Sequence, residues 1–285
     1  MNKDAIYYTL HMKNEKGLDF YGMLYYSLET LMEFYDGSYD IVVVWSTNAD
    51  WFDMHDYEYL GKYNIPRDFA AANIKFVKSD YNDEDVFMHR WYNFERVFEI
   101  GYERVFYIDS DVMYFGKPNQ LFDRNKYAPG SFYVLTEGSN QIVLDVLERN
   151  GAAMGQVLVD RDTFYSVNDL YGNISRMRLE LIDKAKRVLQ NENDCNWFCN
   201  LVEQYAAYMV FINQNIPVGG LYLTDVCFGP ECHRFRIVGN HAEFTEMYTT
   251  IFHYFGNCGY YVVPDRLRTD NMKNVFNQNK NMLPH

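Results

Sequence analysis

The sequence predicts an α/β protein built on a doubly wound, mostly parallel sheet with helices on its faces. Continuous apolar runs such as Ile41–Trp45 (IVVVW) are of the kind buried on both sides of a parallel sheet. Between these runs the apolar residues recur at three and four positions, the spacing of an amphipathic helix. The two patterns alternate as β-α-β-α-β through the first half of the chain, a rhythm that implies right-handed crossovers.

Ala5–Leu10 (AIYYTL) reads as the first strand. Leu24, Leu28, Leu31, Met32 and Tyr35 then share one face of a helix expected over Leu18–Tyr35, with Asp36-Gly37-Ser38 as its stop. Ile41–Trp45 is the second strand and Asn73–Lys78 (NIKFVK) the third. Asp85–Ile100 reads as a helix halted by Gly101, and Arg104–Ile108 (RVFYI) as the fourth strand. Beyond it the pattern loosens. Short strands are expected at Ser131–Leu135 and Gln156–Val159, and helices at Gln141–Arg149, Arg176–Leu189 and Trp197–Ile212. Strand-like runs follow at Arg234–Val238 and Tyr248–Phe255, and the polar tail from Asp265 is expected to lie along the surface. No repeat or low-complexity linker divides the chain, which reads as one domain.

Composition narrows the function. A chain of 285 residues, 48% of them hydrophobic, is ample for a sizeable core and excludes global disorder. The net charge of −13 opposes nucleic acid and anionic membranes, so phosphate chemistry would require local positive charge or a metal ion. The 26 Tyr and 21 Phe suit both a core and stacking on sugar rings. No secretory leader is read at MNKDAIYYTLHMKN, and no stretch reaches the ~18 apolar residues of a membrane span. A cytoplasmic setting with reduced thiols is therefore expected for the five cysteines, Cys195, Cys199, Cys227, Cys232 and Cys258. Their spacing is looser than a zinc site usually has.

The segment richest in chemical meaning is YERVFYIDSDVMYFGKP, Tyr102–Pro118. An apolar strand ends at Asp109-Ser110-Asp111, and Val112–Phe115 continue apolar. In open α/β sheets ligands bind beyond the carboxyl ends of strands, which is where this pair falls. Two carboxylates at i and i+2 on an extended turn can share one hard cation. Magnesium or manganese there would bridge two phosphate groups and neutralise a leaving diphosphate.

RVFYIDSDVMYFGKPNQLF resembles the D-x-D segment of the glycogenin-like and bacterial lipopolysaccharide-galactosyltransferase-like glycosyltransferases. Tyr102-Glu103-Arg104 resembles that family's approach to the strand, and Gln120-Leu121-Phe122 its leucine-bearing turn. Ile251-Phe252-His253-Tyr254-Phe255-Gly256 is similar to its H-x-x-G segment. The resemblance implies a GT-A (Rossmann-like) fold: a mixed, mostly parallel sheet flanked by helices. Residues 1–125 would form the nucleotide half, 126–264 the acceptor half and 265–285 a tail. It further implies transfer of a sugar from a UDP-linked donor, of glucose, galactose or xylose type, to a hydroxyl of a carbohydrate or protein-linked acceptor. Manganese or magnesium would be held by Asp109, Asp111 and His253.

The resemblance also assigns roles elsewhere. The end of the first strand, Thr9, Leu10 and His11, would meet the nucleobase through its backbone. Arg90 would approach the diphosphate together with Ser110. Glu203-Gln204, in NWFCNLVEQYAAYMVF, is the nearest match to a D-Q pair that the family places at the start of a helix. Glu203 is then a candidate base and Gln204 a candidate for facing the sugar, with Asp160 and Asp162 as weaker alternatives. Glu203 acting as base would imply inversion, whereas glycogenin-like enzymes retain. Two departures stand out. Ala152-Ala153-Met154-Gly155 matches the family's F-N-x-G segment only at its glycine, and Asn257-Cys258-Gly259 lacks the family's phosphate-contacting lysine. The lack of an anchor points to a bacterial or large-virus source.

Three other readings are weaker. A haloacid-dehalogenase-type phosphatase would carry its aspartate pair on the first strand and Thr or Val where Met113 stands. A sugar nucleotidyltransferase would have a Gly-rich loop in place of LHMKNEKG. A GT-A-like scaffold without turnover would have less reason to keep Asp109, Asp111 and His253 together.

Overall fold

The computed structural model describes residues 3–12, 14–47, 64–82, 87–137, 139–228, 234–238, 241–246 and 250–253. The tail from Asp265, Cys232, Cys258 and the Gly256 segment lie outside these, as do the side chains of His11 and His253. In the first half, β1 (Asp4–Met12), α1 (Asn14–Met32), β2 (Asp40–Thr47), α2 (Ile65–Asp68), β3 (Ile74–Lys78), α3 (Met88–Glu99), β4 (Arg104–Ile108) and β5 (Val112–Tyr114) follow in turn. The second half supplies β6 (Phe132–Thr136), α4 (Gln141–Leu147), β7 (Ala152–Asp160), α5 (Arg161–Ser166), α6 (Leu170–Val188), α7 (Glu192–Asn213), β8 (Val218–Gly220), β9 (Val226–Phe228), β10 (Arg234–Val238), β11 (His241–Glu246) and β12 (Ile251–His253).

Seven of the described strands form one sheet in the order β3-β2-β1-β4-β7-β6-β8. All its pairings are parallel except those of β7, which runs antiparallel to both β4 and β6. This is the mixed, mostly parallel sheet that the sequence predicts. Alternation along the strands feeds two cores. Ala5, Tyr7, Val42, Val44, Val105 and Tyr107 face the layer made by α3, α6 and α7. Ile6, Tyr8, Ile41, Val43, Phe106 and Ile108 face α1, through Tyr21, Leu24, Leu28 and Leu31. Both faces are apolar because both are covered.

Several boundaries differ from the expected ones. α1 ends at Met32, where Phe34 N–H bonds the Leu31 carbonyl at 3.0 Å. Asp36-Gly37-Ser38 forms a separate turn, with Gly37 at φ 78° and Ser38 N–H on the Asp36 carboxylate at 3.1 Å. A short segment can thus keep helical apolar spacing after its hydrogen bonds have stopped. β7 is longer than the expected Gln156–Val159 and takes in Ala152–Gly155. α6 and α7 likewise extend beyond the predicted spans, since polar first turns such as Glu192–Asn193–Asp194 hide a helix start from hydrophobic periodicity.

A second, smaller sheet joins distant parts of the chain in the order β5-β12-β9. β12 pairs antiparallel with β5 and parallel with β9. β10 and β11 form an antiparallel pair of their own. No helix among the described residues is long and apolar enough to cross a membrane.

Candidate functional site

The chain winds outward from β1 to β3, then returns to place β4 on the other side of β1. Such a reversal opens a crevice at the carboxyl ends of the two central strands. Tyr7 of β1 stands opposite Tyr107 of β4, so Thr9 and Asp109 lie together at that crevice. The Thr9 hydroxyl is 3.3 Å from the Tyr107 hydroxyl. Leu10 is buried in the α1-side core, which leaves its backbone as the part open to a ligand role.

Asp109 N–H bonds the Gly155 carbonyl at 2.9 Å, extending the β4–β7 ladder to the first aspartate. Ser110 is buried and Asp111 half-buried, and the chain then enters β5 in the second sheet. The acidic pair therefore bridges two sheets. Register sets His253 of β12 opposite Val112, the residue after Asp111. The structure thus brings Asp109, Asp111 and the backbone of His253 into one neighbourhood. Among the described residues no group of three metal-ligating side chains assembles.

Asp109 is also tied to cationic and phenolic donors. Tyr107 donates its hydroxyl to Asp109 Oδ1. Burial is the main cause that pushes the Tyr107 phenol well above its ordinary value, against the pull of Arg90, so it stays a donor. Arg90 Nη1 lies 3.3 Å from the same carboxylate oxygen and donates to the Met154 carbonyl. Arg90 Nη2 reaches Glu203 Oε2 at 3.1 Å, and Trp91 Nε1 donates to Glu203 Oε1. Arg90 and Glu203 are each 4% exposed, so this ion pair is withdrawn from solvent. Arg90, on the helix before the acidic strand, is thus buried and clamped between two carboxylates.

No family model matches the chain, and no curated protein sequence matches it. Solved structures do. The apo form of mouse xyloside xylosyltransferase 1 superposes with a TM-score of 0.52 at 12% identity, covering 91% of this chain and 100% of that one. The galactosyltransferase LgtC, in complex with donor and acceptor sugar analogues, gives 0.52 at 11% identity over 99% of this chain and 98% of that one. The glycosyltransferase GlyE of Streptococcus pneumoniae gives 0.53 at 10% identity over 96% of this chain and 65% of that one. This chain has the GT-A fold. At these identities the likeness is one of fold, and its structural neighbours are glycosyltransferases.

Within this GT-A fold the Glu203-Gln204 pair sits well inside α7, not at a helix start. Its consecutive residues bridge two clusters. Glu203 joins Arg90, while Gln204 Nε2 donates to Glu137 Oε1 at 3.1 Å. Glu137 follows β6, at the same end of the sheet as Asp109, and is half-buried. Sequence reasoning missed Glu137, Trp91 and the Met154 carbonyl. Glu137 sits in a polar turn with no motif around it, and the other two act only through tertiary contacts. The register of β6 on β7 shifts between Val134 and Leu135, so that β7 carries surplus residues around Met154–Gln156. That irregularity re-aims the Met154 carbonyl toward Arg90, as bulges near sites commonly do.

Asp160 is corrected from candidate to structural residue. It pairs with Arg104 at 2.8 Å and Arg124 at 3.1 Å. Because Arg104 opposes Asp160 and Ile108 opposes Gln156, Asp160 lies at the end of the sheet away from Asp109. Asp162 follows it at that end, in the first turn of α5. Cys195 and Cys199 are free thiols one turn apart on α7.

The donor set suits a hard divalent cation. Asp109 and Asp111 offer carboxylate oxygens, and the Asp109 side chain is 27% exposed, enough to meet a ligand from the crevice.

Proposed function

We propose that the chain is a metal-dependent glycosyltransferase that moves a sugar from a UDP-linked donor to an acceptor hydroxyl. The observation that carries this reading is the Asp109-Ser110-Asp111 turn at the reversal point of the sheet, backed by the buried Arg90. In an acidic protein of net charge −13, a diphosphate needs a cation to approach such a site, and the two carboxylates are suited to hold one. Asp109, Asp111 and His253 would hold manganese or magnesium, which when bound supplies charge neutralisation for the departing nucleoside diphosphate. The ends of β1 at Thr9, Leu10 and His11 would receive the nucleobase, with Ser110 at the diphosphate. The first 125 residues or so then serve the nucleotide, and residues 126–264 the acceptor.

In the transfer, an acceptor hydroxyl attacks the anomeric carbon, the bond from that carbon to the diphosphate oxygen breaks, and the hydroxyl proton passes to a base. Gln204 and Glu137 form the polar group at the acceptor side of this arrangement. Glucose, galactose and xylose are the donor types to try first.

The test is release of UDP from UDP-glucose, UDP-galactose and UDP-xylose in the presence of manganese. At least one donor should be hydrolysed slowly without acceptor, and Asp109→Asn should remove that release by two orders of magnitude or more, about the loss expected when charge stabilisation of a leaving group is removed. Equal release by the variant, or none by wild type with any nucleotide sugar, would contradict the reading and favour a sugar-binding scaffold.

A further inference from the structure

A group that takes a proton from an acceptor hydroxyl needs a lone pair within reach of that hydroxyl. Glu203 is poorly placed for this. Its side chain is 5% exposed, one oxygen accepts from the Trp91 indole, and the other accepts from Arg90 Nη2 at 3.1 Å. Both donors are themselves fixed. Trp91 is buried, stacks on Phe94 at 5.6 Å between ring centroids and meets Phe211 edge-on at 6.1 Å. Arg90 is held by the Met154 carbonyl, by Asp109 and by the Tyr107 ring 5.0 Å from its guanidinium carbon. The contacts form one continuous chain, Trp91 to Glu203 to Arg90 to Asp109, running from α3 through α7 and back to the end of β4.

We propose that Trp91 and Glu203 are positioning residues, which together fix the Arg90 guanidinium against Asp109, and that Glu203 is not the base of the reaction. A buried guanidinium has a rigid fork of donors, and each must be met by an acceptor or it costs free energy. The Phe87 and Met154 carbonyls, Asp109 and Glu203 meet them, which leaves Arg90 one orientation. Glu203 can serve only if its second oxygen is also satisfied, and the Trp91 indole supplies that donor. Phenylalanine at 91 would preserve the ring stack yet take the indole donor away from a buried carboxylate oxygen. A glutamate so engaged is a strut: it holds the Arg90 guanidinium, and through it the Asp109 carboxylate, in one place.

This inference rests on the donor-site reading of Asp109 and Asp111. Its test is manganese-dependent UDP binding by calorimetry in wild type, Trp91→Phe, Glu203→Gln and Phe164→Leu. Glutamine at 203 has one acceptor oxygen for two donors, so both site variants should bind UDP about tenfold more weakly, the worth of one buried charge-assisted hydrogen bond. Phe164 packs on Phe94 at 5.7 Å, one ring away from Trp91. Its leucine variant should melt earlier and still bind UDP as wild type does. A base at 203 predicts the opposite pattern: Glu203→Gln would keep wild-type UDP affinity and lose only turnover, which would overturn the proposal. Equal weakening by Phe164→Leu would also overturn it, by showing a general packing effect. Should Glu203→Gln fail to fold, Trp91→Phe decides alone. Wild-type protein that binds no UDP would sink the donor-site reading as well, whereas unchanged binding in Trp91→Phe would sink this proposal alone.

Discussion

Arg90 makes hydrogen bonds to two backbone carbonyls, those of Phe87 and Met154, to Asp109 and to Glu203 while almost wholly buried. Removing it would leave two carboxylates beside each other without their shared cation. Breaking a buried pair in this way costs about 3–5 kcal/mol, so Arg90→Ala should be strongly destabilised in urea denaturation, with Arg90→Lys between it and wild type. A loss below about 1 kcal/mol in Arg90→Ala would show that water reaches the cluster and that the pair is not withdrawn. The sequence reveals Asp109 and Asp111 because the apolar run Val105–Ile108 leads to them. Arg90 carries the resemblance to a family position, but its partners are invisible from spacing alone. Trp91 looks like any aromatic on a helix face, and only the packing of α7 against α3 shows that its N–H has a carboxylate to meet.

At the scale of elements, the amino-terminal end of β2 is pinned by Asp40. This fully buried carboxylate accepts from Lys75 at 3.0 Å, Tyr102 at 2.9 Å and Asn73 at 2.8 Å, and so ties β2 to β3 and to the turn before β4. Burial raises its pKa and is the largest single influence, yet the hydrogen bonds and the Lys75 charge together hold it below the ordinary carboxylate value. A folded-state pKa below the unfolded one means that Asp40 contributes stability at and above pH ~4, lost as pH falls through the lower folded value. Asp40→Asn should therefore cost about 1–3 kcal/mol at neutral pH and much less at pH ~3, by denaturation at the two pH values. A cost independent of pH would contradict that assignment.

The outer strand β8 makes a second demand. Gly219 lies against Tyr133 of β6, and a Cβ there would fall 2.6 Å from two ring carbons. Gly219→Ala should cost about 1–3 kcal/mol as the ring is forced aside, measurable as an earlier thermal midpoint. β1, β2 and β4 are legible because each is buried on both faces and carries a continuous apolar run, whereas β3 alternates with Lys75 and Lys78 and is only partly buried. β8 and β9 are three residues each and take their place from partners far along the chain, Phe132–Val134 for one and β12 for the other. β7 reads as a strand only over Gln156–Val159, because the small residues and Gly155 before it carry no strand pattern.

The whole molecule is a three-layer sandwich whose cores are unusually rich in buried phenols. Burial is the first cause that pushes Tyr7, Tyr8, Tyr107 and Tyr114 above their ordinary pKa. Because the folded values exceed the unfolded one, the stability they contribute is complete below pH ~10 and is lost as pH rises beyond it. Tyrosinate absorbance should rise in two stages, exposed tyrosines first and the buried set only together with loss of circular dichroism. A single smooth titration with the fold intact would show that these phenols reach solvent.

The same sandwich places one cluster of acidic and basic groups at the reversal point of an otherwise acidic protein, and the proposed function turns on what that cluster binds. The most direct measurement is calorimetric titration of UDP into metal-stripped protein, with and without manganese, repeated on Asp111→Ala. Binding that requires manganese in the wild type and vanishes in the variant is the predicted result. UDP binding that ignores both the metal and Asp111, or no binding under either condition, would contradict the assignment of this site.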